Sequence, residues 1–247
     1  LPEENILQQL TTHFADRQSV QRDEVVDFLH EVAPELTDKT ISWRIHQLKE
    51  KELITYVSRG VYSFVVKEVW TPELTRWSTR LRNLVREASP EAGLCIWHSG
   101  FLNEWASCPG SHQYTFIEVE RSAMESAFDA LTALSKKVFL NPDAAFVERY
   151  ILPLEESIVV RPLVSEAPLL ELKGVTTSSL EKVMVDLMVD ELFFRPVLFE
   201  EKTALILKQA VSRFQVSQSR ILRYAGRRNQ RAKVYNRLQE LKLLIDI

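Results

Sequence analysis

Leu53-Ile54-Thr55-Tyr56-Val57, Ser58-Arg59-Gly60 and Val61-Tyr62-Ser63-Phe64-Val65 form the stretch that decides how the first part of this chain folds. Two runs rich in β-branched and aromatic residues around a glycine-bearing turn predict a β-hairpin. Upstream, Ile6, Leu7, Leu10 and Phe14 recur at helical spacing, and Val25, Val26, Leu29 and Val32 do so again. Pro34 closes that second helix. Thr37 predicts the N-cap of a third, running to about Lys51, with Ile41, Ile45 and Leu48 as its buried stripe. Three helices followed by a hairpin is the order of a winged helix-turn-helix, predicted here over residues 1–67.

Downstream of the hairpin the pattern changes. Trp70-Thr71-Pro72 predicts the opening of a helix to about Ala88, with Pro72 at the first helical position. Tyr114–Val119, Lys137–Leu140, Ser157–Val160 and Leu169–Leu172 read as strands, and Ser122–Ser135 as a helix between two of them. Ser178 and Glu181 have capping-box spacing, and the helix they open carries Leu180, Val183, Met184 and Leu187 on one face. From Leu198 onward the pattern is helical, in three pieces broken near Gln215 and Gly226. The predicted class is α+β. The winged helix-turn-helix precedes an α/β domain at 68–197, and a basic helical C-terminal region at 198–247 packs on that domain.

Composition excludes several function classes. The 247 residues include only six glycines, none two or five apart, so neither G-x-G-x-x-G nor the phosphate loop G-x-x-x-x-G-K-[ST] is present. No apolar run approaches the ~18 residues of a membrane span, and no charged-then-apolar signal pattern opens the chain. Cys95 and Cys108 suit a reducing cytosol, which predicts a cytoplasmic protein with no membrane partner. With Trp97, His98 and His112 they lie near one another in sequence, but their spacing is not that of a structural zinc site. No metal or other cofactor is expected. Glu118-Val119-Glu120 after an apolar strand has the look of the acidic strand of a metal-dependent nuclease, without the lysine such sites place two residues on. A nuclease-like domain behind a winged helix is therefore one alternative, and a protein-docking adaptor another.

Charge is the strongest functional signal. The net charge of −3 divides into +10 between Lys202 and Lys242, with eleven Lys/Arg against Glu240, and −13 over the remainder. Such segregation points to a polyanion or an acidic partner. Arg220, Arg223 and Arg227 share one helical face, and Arg228 and Arg231 follow them. Opposite the buried stripe of the third helix lie Lys39, Trp43, His46 and Gln47, and Arg59 sits at the hairpin tip. These residue types suit phosphates and base edges of double-stranded DNA, so all ten are candidate DNA contacts. Residues 37–67 sum to +3 and residues 1–36 to −6, so only half of the module is electrostatically suited to that role.

Three segments carry a family resemblance. Arg59-Gly60-Val61-Tyr62 resembles the "R-G-V-Y" wing of AbiEi-type antitoxins of bacterial abortive-infection toxin–antitoxin systems. Ile96-Trp97-His98-Ser99-Gly100-Phe101 is similar to the "L-Y-x-H-G-L" stretch that opens their second domain. Val175–Leu187 is similar to their "V-T-S-x-E-R-T-L-x-D-L". The resemblance implies an antitoxin without catalysis of its own that represses its own promoter, with a nucleotidyltransferase toxin encoded next to it. It implies structural roles for Glu181 and Asp186 and supplies no catalytic residue.

Overall fold

The computed structural model describes residues 3–15, 17, 19–50, 54–64, 67–105, 113–194 and 200–244. The N-terminal part runs α1 (Glu3–His13), β1 (Val20–Gln21), α2 (Arg22–Val32), α3 (Asp38–Glu50), β2 (Thr55–Ser58) and β3 (Val61–Ser63). The strands form an antiparallel sheet in the order β1-β3-β2. The two-residue β1 has too little periodicity to be seen in sequence. Thr37 caps α3 as expected, accepting the Thr40 amide at 3.3 Å. Leu53, Val65 and Lys51 lie outside the described residues. Gly60 holds φ +75°, a conformation that admits glycine without strain and lets the hairpin turn tightly. Ile6, Leu10, Phe14, Val25, Leu29, Ile41, Ile45, Leu48, Ile54 and Phe64 converge as one apolar core.

The next helix, α4 (Arg76–Ala88), begins later than Pro72 suggests. Thr75 accepts the Ser78 amide at 3.4 Å and so sets the start, leaving Pro72 in the irregular lead-in. There follow β4 (Leu94–His98), a 3₁₀ turn at Ser99–Glu104, β5 (Gln113–Val119), α5 (Met124–Thr132) and β6 (Val138–Leu140). A short α6 (Ala144–Phe146) runs into a π-helical turn at Val147–Ile151, before β7 (Glu156–Pro162). These strands form one sheet, β4-β5-β7-β6, antiparallel only at its β4 edge. The hairpin of β8 (Leu169–Leu172) and β9 (Val175–Ser178) turns through Lys173 and Gly174, both at positive φ. β9 lies against β4, where Thr177 Oγ1 donates to the Ile96 carbonyl at 2.7 Å.

The last helices are α7 (Leu180–Val189), α8 (Glu191–Phe194), α9 (Glu200–Arg213), α10 (Gln218–Arg227) and α11 (Arg231–Glu240). Two sequence expectations shift here. The cap of α7 is Ser179 rather than Ser178, and Ser179 Oγ donates to Glu181 at 2.7 Å. The break after α10 falls at Arg228–Gln230, where Asn229 takes φ +56°, so Gly226 stays inside the helix.

The sheet is sandwiched. On one face α4 and α5 bring Leu81, Val85, Ala127 and Leu131 onto Ile96, Ile117 and Val160. On the other, α7 and α9–α11 cover Cys95, Trp97, Phe116 and Val159. The C-terminal helices therefore share one core with this face of the sheet. Helix α7 is buried over Leu180–Met188, on every side rather than one face, because it lies between the sheet and α9–α11. The N-terminal part is fastened to this body by Lys67 Nζ on the Val211 carbonyl (2.7 Å) and by the Glu68 backbone bonded to Arg213 and Gln215.

Candidate functional site

The outer face of α3 is open. Lys39 and His46 are exposed, Trp43 is 55% exposed, and Gln47 is half-buried. Trp43 thus faces solvent rather than a neighbouring helix. Arg59 is exposed at the hairpin turn. One residue ties these two segments together. The Arg22 amide donates to the Gly60 carbonyl at 2.6 Å, and its guanidinium donates to Ser42 Oγ on α3 at 2.6 Å. The outer face of α3 and the turn are therefore neighbours on one surface.

The basic C-terminal residues divide into two groups. Arg228 is not a surface contact. Its side chain is 16% exposed and turned inward on Asp186 (2.6 Å) and Asp190 (2.7 Å). Arg227 bonds Ser165 and lies 3.7 Å from Glu166. Arg220 lies 3.9 Å from Glu181, Arg213 pairs with Glu68 and Glu104, and Lys233 with Glu191. Much of the segregated charge thus meets the acidic body of the same chain. Arg223 and Arg231 are exposed and have no ion-pair partner among the described residues.

Sequence reasoning missed the most densely charged place among the described residues. Glu118 on β5, Arg161 on β7, Lys182 and Asp186 on α7, Asp190 at its C-cap, and Tyr224 and Arg228 of the α10 segment meet between sheet and helices. Glu118 Oε1 accepts from Lys182 Nζ (2.8 Å), Arg161 Nη2 (2.7 Å) and Trp97 Nε1 (3.0 Å). Asp186 Oδ2 accepts from Lys182 Nζ at 2.6 Å, and its Oδ1 accepts from Tyr224 (3.0 Å) and Arg228 (2.6 Å). Arg161 reaches Asp190 at 2.6 Å and lies over the Phe116 ring.

The side chains of Glu118, Lys182 and Asp186 are 2%, 0% and 0% exposed. Burial pushes the Glu118 carboxyl up, but Lys182 and Arg161 outweigh it and hold the group at about 2. Burial likewise opposes the charge on Lys182, yet Asp186 and Glu118 raise it above its ordinary value. Three carboxylates and three cations make the cluster neutral, which is how so many charges tolerate burial. Chemically this is an interlock. Glu118 and Asp186 are held by internal cations in the interior, whereas Asp190 is 14% exposed at the edge of the cluster. A sequence signal existed in the Lys182/Asp186 i,i+4 pair on an apolar helix.

The remaining candidates are quieter. Cys95 is buried, and burial pushes its thiol up to about 12, so it stays protonated. His98 packs on Phe101 at 4.3 Å, and burial depresses it to about 4, leaving it neutral. Cys108 and His112 lie outside the described residues. Glu120 accepts the Gly93 amide at 3.1 Å, at the end of its strand and apart from the charge cluster.

No curated protein matches the chain. A family model does match, over residues 40–243, from the first turn of α3 to beyond α11; it takes in the hairpin, all six charges of the cluster and the α3 face apart from Lys39. The chain belongs to the family of unknown function DUF6577.

Proposed function

We propose that the protein is a DNA-binding regulator without catalysis of its own, whose N-terminal part is a winged helix-turn-helix. The observation that carries this reading is the open α3 face fastened by Arg22 to the turn bearing Arg59. Helix order and the β1-β3-β2 sheet support this reading; in a winged helix the third helix enters the major groove and the hairpin lies along the backbone. Lys39 and Arg59 contact phosphates in this reading, and Gln47, His46 and Trp43 face base edges and sugars. Arg223 and Arg231 add charge that is not committed to an internal carboxylate. The acidic body keeps the whole chain from binding polyanions indiscriminately. The closed charge cluster favours this reading over a nuclease, which requires an accessible carboxylate.

The resemblance to AbiEi-type antitoxins supplies the biological setting. The duplex would be the protein's own promoter, and an adjacent nucleotidyltransferase toxin would be the protein partner. The test is a gel-shift titration against the upstream promoter fragment at several salt concentrations. The double variant Lys39→Ala/Arg59→Ala should bind more weakly, with a log–log salt slope shallower by about two units. Unchanged affinity and slope in a folded variant would remove this face from DNA binding.

A further inference from the structure

The N-terminal part meets the body along the hairpin and Lys67, and beside that contact the two are set apart. Between them lies a cleft of about 540 Å³, within the usual range of small-molecule sites. One wall is built by Lys49 at the end of α3, with Ile54 and Tyr56 from the hairpin. The facing wall is built by Leu170, Ser179, Val216, Ser217 and Arg220. The two cations thus come from segments about 170 residues apart and converge only through the fold.

The lining has a definite polarity. Lys49 sits over the Tyr56 ring at 4.6 Å, so an ammonium and an aromatic face are presented together. Arg220 is largely exposed, and its nearest carboxylate, Glu181, is 3.9 Å away. Glu181, the acidic residue of the lining, is already occupied: its oxygens accept from Ser179 Oγ (2.7 Å) and the Ser217 amide (3.2 Å). Glu181 therefore reaches Arg220 only at 3.9 Å, and Arg220, 58% exposed, lines the open space together with Lys49. The rest of the surface is hydroxyl and apolar, from Ser219, Tyr56, Val69 and Leu170.

We propose that this cleft binds a small organic anion. Arg220 and Lys49 hold its charged end, and its carbon skeleton lies against Tyr56, Val69 and Leu170. A neutral ligand of the same shape gains no charge-assisted contact from Arg220 or Lys49 and binds more weakly. The site is independent of duplex binding, and its test contains no nucleic acid.

The probe is anilinonaphthalene sulfonate, an aromatic monoanion, titrated into the full chain and followed by its fluorescence. Its neutral counterpart without the sulfonate, N-phenyl-1-naphthylamine, is titrated in parallel. One saturable equivalent of the anion should bind at least ten-fold more tightly than the neutral compound. Lys49→Gln/Arg220→Gln should abolish that preference, and Arg220→Gln alone should reduce it several-fold. Lys208→Gln, an exposed change outside the cleft, should leave it intact. Circular dichroism verifies that each variant is folded. Equal affinity for the two probes, no saturable binding, or a double variant that binds the anion like the parent would overturn the proposal.

Discussion

The N-terminal core and the core under helix α7 are built on opposite principles. The N-terminal core is made of Ile6, Leu10, Leu29, Ile41, Ile45 and their apolar neighbours. The body packs Trp97, Phe116 and Met184 around three carboxylates and three cations. An apolar core is non-directional, and many side-chain sets of similar volume fill it. A charged core is directional, since each group has a named partner and a fixed distance. The first gains stability by removing surface from water, and the second trades some stability for one permitted arrangement of sheet and helices.

Breaking the charged core should produce the largest effect. Asp186→Ala removes a partner shared by Lys182, Arg228 and Tyr224 and leaves the buried cluster with one uncompensated positive charge; it should cost about 3–5 kcal/mol, read from urea unfolding of the full chain. A loss below ~1 kcal/mol would show that the cluster relaxes or hydrates, and the contrast between the cores would fail. Ile41→Ala should cost about 2–4 kcal/mol through lost transfer energy and a residual cavity. Because the N-terminal core is separate, limited proteolysis should then cut within residues 1–67 while the body survives. Simultaneous cleavage of both parts would show that the two cores unfold as one unit.

Acid sharpens the same comparison. His98 has its folded pKa depressed from 6.5 to about 4, so the unfolded chain binds the proton more readily between those values. Stability is therefore lost as pH falls from 6.5 toward 4, by roughly 1–3 kcal/mol. Glu118 follows, its contribution present above 4.5 and lost as pH falls toward about 2. Both groups belong to the body. His98→Gln should remove the first limb of a stability-versus-pH curve measured by denaturant unfolding and leave the second. The smallest effect is expected at Trp43→Ala, where an exposed side chain leaves a core untouched: less than ~0.5 kcal/mol in thermal or urea unfolding.

The difference between the cores also explains what could be read from sequence. Ile41, Ile45 and Leu48 announce a helix face because periodicity is local, and Thr37 announces where the helix starts. The hairpin around Gly60 was legible for the same reason. Strand β4 was not read as a strand, because Leu94–Trp97 is a short apolar run without alternation, buried on both faces of the sheet. The charge cluster was illegible for a deeper reason: Glu118, Arg161, Lys182 and Arg228 are separated by tens of residues, and no local pattern links them. Arg228 belonged by composition to the basic C-terminal stretch, whereas its burial depends on a turn at Asn229 that aims it inward. Of the candidate contacts, the α3 face and Arg59 share one surface, while the arginines of α10 are partly drawn toward the body's own carboxylates.

The six-charge interlock has a consequence for how the family can diverge. Replacing any one member leaves an uncompensated charge among Trp97, Phe116 and Tyr224, so a single change at this place is heavily penalised by selection. Exchange of the whole set for apolar residues of similar volume can be neutral or better, but it requires several coordinated steps through poor intermediates. Lineages should therefore be trapped on one side or the other. Relatives of this chain should carry Glu118, Arg161, Lys182, Asp186, Asp190 and Arg228 as an inherited block, or lack them as a block, while the exposed α3 face, free of such coupling, varies one residue at a time.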